Sequence, residues 1–180
     1  MANTFTLIST YTVPASPSIS TITFTVIPQT YTDLMLMGSL KTSRLADNDF
    51  IKGYFNADTT DGNYAGFLCY NGGSNNIAGG TFAALGAPRY FGDVPASGSA
   101  NNTNWFSGTR IWIHGYTDSY VKSYGAEGVQ PSNNSAQLLT YGSGRWNGTA
   151  PITDISFTCG VTGPWKEFST ISLYGIKGSN

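Results

Sequence analysis

The sequence predicts an all-β fold: an antiparallel two-sheet β-sandwich of jelly-roll type with about ten strands. Three observations carry that expectation. Short segments alternate apolar and polar residues with period two, as in Ser169-Thr-Ile-Ser-Leu-Tyr-Gly-Ile-Lys177. The 22 glycines and eight prolines punctuate the chain about every ten residues, the rhythm of turns in a sandwich or barrel. No stretch carries the apolar spacing of a long amphipathic helix.

The elements follow in order. The first strand runs near Thr4 to Val13, with Phe5, Leu7, Tyr11 and Val13 on one side, and Pro14-Ala-Ser-Pro17 turns the chain. Ser18 to Ile27 comes next, with Ile22, Phe24 and Val26 sharing a face, and Pro28 ends it because proline offers no ladder donor. Tyr31 to Lys41 places Leu34, Leu36, Gly38 and Leu40 on one face and Met35 and Met37 on the other, so this strand is expected in a sheet interior. Phe50 to Asn56 and Tyr64 to Tyr70 read as a hairpin across Asp58-Thr-Thr-Asp-Gly-Asn63, where Asp-Gly suits a tight reversal.

Residues 71 to 104 are rich in Gly, Ser and Asn, with weak strands near Thr81 to Leu85 and Arg89 to Phe91. Loops of this kind are exposed and often carry contacts. Asn75, Asn76, Asn101, Asn102, Asn104 and Trp105 are therefore the candidate contact loops. Strands return at Thr109 to Tyr116, Tyr120 to Ala126 and Ala136 to Tyr141, the first two joined through Thr117-Asp-Ser119. The last pair is Ile152 to Val161 and Phe168 to Lys177. With 180 residues, no internal repeat and no linker, residues 1–180 read as one domain.

Composition narrows the function. Charged residues are only 11% of the chain, well under the usual quarter, so hydroxyls, amides and glycine must cover the surface. Such a surface suits packing against protein or sugar. Nine basic and ten acidic residues are scattered singly, which argues against nucleic-acid binding. The apolar runs are too short to span a bilayer as helices, and the N-terminal residues show no signal peptide, so no membrane partner is expected. Cys69 and Cys159 read as buried free thiols in a reducing compartment, with a structural bridge as the alternative.

His114 is the single histidine, in Arg110-Ile-Trp-Ile-His-Gly-Tyr116. Alternation predicts a polar-aromatic stripe of Arg110, Trp112, His114 and Tyr116 opposite Ile111 and Ile113. That stripe is the candidate contact face. It reads either as a cross-strand ladder or subunit interface, with Tyr120, Lys122 and Tyr124 beside it, or as a strip that contacts sugar. No nucleophile or carboxylate partner for His114 is indicated. Glu127 and Glu167, the two glutamates, lie beside turns, as do most of the eight aspartates, so no paired carboxylates of a glycosidase stand out. Asp58 to Asn63 lacks the ligand spacing of an EF-hand loop and reads as a turn. Trp146, flanked by Gly144 and Gly148, is either a packed ring closing one end of the sandwich or an exposed contact. No catalytic residue, cofactor or metal site is predicted.

Four stretches carry a resemblance. Thr4 to Val13, Ile22-Thr-Phe-Thr-Val-Ile-Pro-Gln-Thr-Tyr-Thr-Asp-Leu34, Gly144-Arg-Trp-Asn-Gly-Thr-Ala-Pro-Ile-Thr-Asp-Ile155 and the closing Ser-Leu-Tyr-Gly-Ile-Lys resemble a family of small virion structural proteins of tailed phages, common in marine and cyanobacterial phages. The resemblance implies a non-enzymatic component of the virion, assembled in the host cytoplasm, with no catalytic residues. An external capsid decoration or cement protein is the expected role, because the chain shows neither a coiled coil nor a collagen-like shaft. Its expected partners are other virion proteins (a major capsid or tail protein) and further copies of itself, with a trimer as the expected homo-oligomer. The alternative is a tail-fibre or tail-tip receptor-binding module, lectin-like, that grips host-surface polysaccharide.

Overall fold

The computed structural model describes residues 4–46, 48–72, 77–81, 89–95, 105–130, 138–160 and 163–178. Twelve strands lie among these described residues: β1 (Phe5–Thr12), β2 (Thr21–Phe24), β3 (Asp33–Leu40), β4 (Asn48–Phe55), β5 (Tyr64–Gly72), β6 (Ile77–Thr81), β7 (Tyr90–Pro95), β8 (Ser107–His114), β9 (Lys122–Gln130), β10 (Leu138–Trp146), β11 (Ile155–Cys159) and β12 (Thr170–Ile176). They form two antiparallel sheets, in the orders β1-β12-β3-β8-β9-β10-β5-β6 and β2-β11-β4-β7. The fold is thus an all-β two-sheet sandwich, as the alternation predicts. The order β8-β9-β10 is a meander, whereas β12 lies between β1 and β3, its partners from the start of the chain. This order establishes the sandwich; the jelly-roll pattern of connections is not established by it.

The core lies where the inward faces meet. Period two puts Leu34, Leu36 and Leu40 of β3, Ile111 and Ile113 of β8, and Ile171 and Leu173 of β12 in the interior. They form one cluster with Ile22, Phe24, Ile51, Phe55, Ile155 and Phe157 of the smaller sheet. Rings join the two sheets. Phe91 of β7 stacks on Tyr124 of β9 at 4.4 Å between centroids, and Phe55 of β4 meets Phe91, Tyr124 and Trp146 edge-on or tilted. Such pairs add about 0.5–1.5 kcal/mol each beyond area burial. Gly53 makes room for this stack, since a Cβ there would lie 2.6 Å from the Phe91 ring.

Four sequence expectations are corrected. In β1 the register shifts between Leu7 and Ser9, a β-bulge that exchanges the faces. Phe5 and Leu7 consequently point outward, 51% and 55% exposed, while Ile8 and Tyr11 pack on the core and Val13 is buried. Val26 does not share the face of Ile22 and Phe24: it follows β2 in a left-handed conformation (φ 55°) and is 88% exposed. β4 and β5 do not form a hairpin, because they belong to different sheets. Their connection crosses the sandwich through a left-handed Asn56-Ala57 pair and a single 3-10 turn over Asp61–Asn63. The final two strands likewise divide, β11 to the smaller sheet and β12 to the larger.

Other readings agree with the structure. β3 is an interior strand between β12 and β8, with Met35 buried on its outward side and Met37 49% exposed. The turn after β8 reverses tightly, with the Asp118 N–H donating to Gly115 O at 3.0 Å. Trp146 is packed at the end of the sandwich. Both cysteines are free and partly buried.

Candidate functional site

The outer face of the larger sheet holds the candidate site. β8 is built for it: Ser107, Thr109, Ile111 and Ile113 turn inward, which leaves Arg110, Trp112 and His114 outward. The Trp112 and His114 rings stack at 5.5 Å and 22°. His114 Nδ1 lies 3.7 Å from Asp33 Oδ1, and the same carboxylate oxygen accepts the Gly115 N–H at 2.9 Å. Asp33 therefore fixes the end of β8 against β3.

Tyr116 leaves the predicted stripe. The strand ends at His114, and Gly115 adopts φ 52°, which breaks the alternation. Tyr116 enters the core, where its hydroxyl donates to Pro28 O and accepts the Tyr31 N–H. Burial raises its phenol above the usual value. The predicted neighbours change as well. Trp112 sits opposite Gly125 and His114 opposite Ser123, so Lys122 and Tyr124 occupy the inner face of β9. Tyr120 lies exposed in the turn. Of the predicted contact loops, Asn75, Asn76, Asn101, Asn102 and Asn104 fall outside the described residues, and Trp105 is half-buried just before β8.

Residues that the sequence alone does not join to this stripe complete the face. Arg110 pairs in register with Glu127, which lies mid-strand in β9 and not at a turn. Arg110 Nε to Glu127 Oε1 is 2.6 Å. Tyr141 faces Glu127 from β10. One cross-strand row reads Trp112–Gly125–Ser143–Phe67, and the next reads Arg110–Glu127–Tyr141–Cys69. Around Gly125 lies a depression of about 210 Å³, lined by Arg110, Trp112, Gly125, Glu127 and Tyr141. A second, of about 430 Å³, lies over β9, β10 and β5, lined by Phe67, Ser123, Ser143 and Arg145. The alternation of 64–70 and 138–146 marks these side chains once the face is known.

A further apolar patch occupies the other half of this face. Phe5 and Leu7 of β1 and Met37 of β3 are half-exposed, with Tyr174 of β12 registered between Leu7 and Met35. Elsewhere the polar groups serve the fold. Asp58 accepts from Trp146 Nε1, Asn63 Nδ2 and the Thr60 N–H. Lys122, buried, donates to the carbonyls of Asp118, Tyr120 and Thr149.

Among the described residues, no three His, Cys, Asp or Glu side chains converge as metal ligands, and no helix is long and apolar enough to cross a membrane. No family model, curated protein or solved structure matches the chain.

Proposed function

We propose that the chain is a non-enzymatic structural protein of a tailed-phage virion, an external capsid decoration protein that attaches through the β1–β12–β3 part of its larger sheet. The observation that supports this reading is the exposed group Phe5, Leu7 and Met37 on the outer face of that part of the sheet. The outward side of an antiparallel sheet is ordinarily polar. Clustered large side chains left half in water mark a surface that another protein covers. The low charge of the chain suits a contact held by shape and hydrogen bonds more than by ion pairs. The segment resemblance supplies the virion context, and the partners are a major capsid protein and further copies of the chain in a closed trimer.

Quantitative mass spectrometry of purified particles tests the reading. Shell-level copy numbers are expected for the wild type. The double variant Phe5→Asp with Leu7→Asp is expected to melt like the wild type and to be lost from particles. A double variant retained at wild-type occupancy, or a protein found only as a few copies at the tail, would overturn the assignment.

A further inference from the structure

We propose that the trough over Gly125 is a saccharide-binding groove, which seats one hexopyranose ring between Trp112 and Tyr141 and continues the sugar chain toward Phe67 and Arg145. It uses strands other than those of the attachment patch and does not rest on the virion reading.

The reasoning begins with Gly125. Its backbone lies outside the left-handed region, and a Cβ built on it meets only Gly142 O, at 4.0 Å. Neither conformation nor packing requires glycine there. Glycine also weakens a strand interior. What the missing side chain does provide is open space in the middle of the sheet face. Gly53 and Gly148 differ, because a Cβ at either would strike an aromatic ring.

The surroundings specify what fills the space. In register, Gly125 and Ser143 separate Trp112 from Phe67, so two small residues lie between two rings. Three strand spacings make this span roughly 14 Å. The two depressions lie along it. The rim is polar. On one side stands the Arg110–Glu127 pair, half-exposed, with donors and an acceptor at 2.6 Å from each other. On the other stand Ser123 and the exposed Arg145. A pyranose has an apolar C–H face and a ring of hydroxyls at its edge. Aromatic walls receive the first, and paired charged groups exchange hydrogen bonds with the second. A groove floored by Gly125 and Ser143 admits an extended chain of such rings.

A printed array of hexameric oligosaccharides (neutral hexose, amino-sugar and uronic-acid chains) followed by calorimetry on the best binder tests the groove. Saturable binding of at least one chain is expected. Gly125→Val fills the trough; it is expected to weaken that binding by about tenfold or more while melting no lower than the wild type. Trp112→Ala is expected to weaken it similarly. The Phe5→Asp/Leu7→Asp protein, altered only on β1 and leaving Met37 beside Arg110, is expected to keep full sugar affinity, and Gly125→Val to keep particle attachment, so the two proposals fail separately. Absence of saturable binding to every printed chain, or equal affinity in the Gly125→Val protein, would refute the groove.

Discussion

The indole Nε1 of Trp146 donates a 2.7 Å hydrogen bond to Oδ2 of Asp58, tying the end of β10 to the crossing between β4 and β5. Burial alone would raise the Asp58 carboxyl, but the hydrogen bonds from Trp146, Asn63 and Thr60 outweigh it and hold the group below its ordinary 3.8. A carboxylate with a depressed folded value stabilises the fold above the unfolded value, and the contribution disappears as pH falls through the folded one. Asp58→Asn is therefore expected to cost about 1 kcal/mol at pH 7 and to narrow its deficit against the wild type below pH 4. Urea melts at pH 7 and pH 3 decide it; an equal deficit at both would show that ionisation of Asp58 contributes nothing.

Gly148 and Gly125 should respond oppositely to an added side chain. A Cβ on Gly148 lies 2.1 Å from the buried Trp146 ring, so Gly148→Ala is expected to lose about 1–3 kcal/mol through overpacking. Gly125→Val is expected to gain up to about 1 kcal/mol from reduced chain entropy and better strand propensity. Thermal melts of the two variants check the pair, and destabilisation of Gly125→Val would mean that the strand needs glycine there.

Cys159 should be inert in the native protein. Burial, assisted by nearby Asp49, pushes its thiol up to about 12. At pH 8 almost none is thiolate, the reactive form. Labelling with a thiol reagent and mapping by mass spectrometry is expected to leave Cys159 unmodified until denaturant is added. Rapid native labelling of Cys159 would contradict its burial.

Lys122 links the β8–β9 turn to the segment after β10 through three carbonyls. Lys122→Met leaves those acceptors without the ammonium, at an expected cost of about 2–4 kcal/mol. Burial lowers the lysine below 10.5, an effect that Asp118 partly opposes. The unfolded chain thus holds more protons at alkaline pH, so the wild type's advantage over the variant should widen as pH rises toward 10.5. Denaturant midpoints of both proteins from pH 7 to pH 10 measure the trend, and a gap that closes would contradict it.

Much of the sandwich was legible because alternation reports a strand's faces directly. The Ile111/Ile113 and Arg110/Trp112/His114 division in β8 and the leucine–methionine division in β3 both follow from period two. What alternation cannot report is where its phase breaks. The β1 bulge turned Phe5 and Leu7 outward, and Gly115 sent Tyr116 inward; each depends on one residue's backbone conformation and on a partner distant in sequence. The Asp58–Asn63 stretch has the residues of a hairpin turn, but pairing of β5 with β10 draws the chain to the opposite sheet. The groove was legible only in its β8 wall. Its floor and far wall come from β9, β10 and β5, and cross-strand register is a tertiary property that no single segment contains.

The pairing of β1 with β12 also sets a timetable. Thr10 and Ser172, whose hydroxyls bond at 2.8 Å, are 162 positions apart, so these two strands meet only after most of the chain has been gathered in. Closing so long a loop is entropically slow, and β3 too must wait for β12 before it has both neighbours. Until then the first strand has no ladder partner, and its uncharged, proline-free edge is open to a neighbouring nascent chain during assembly.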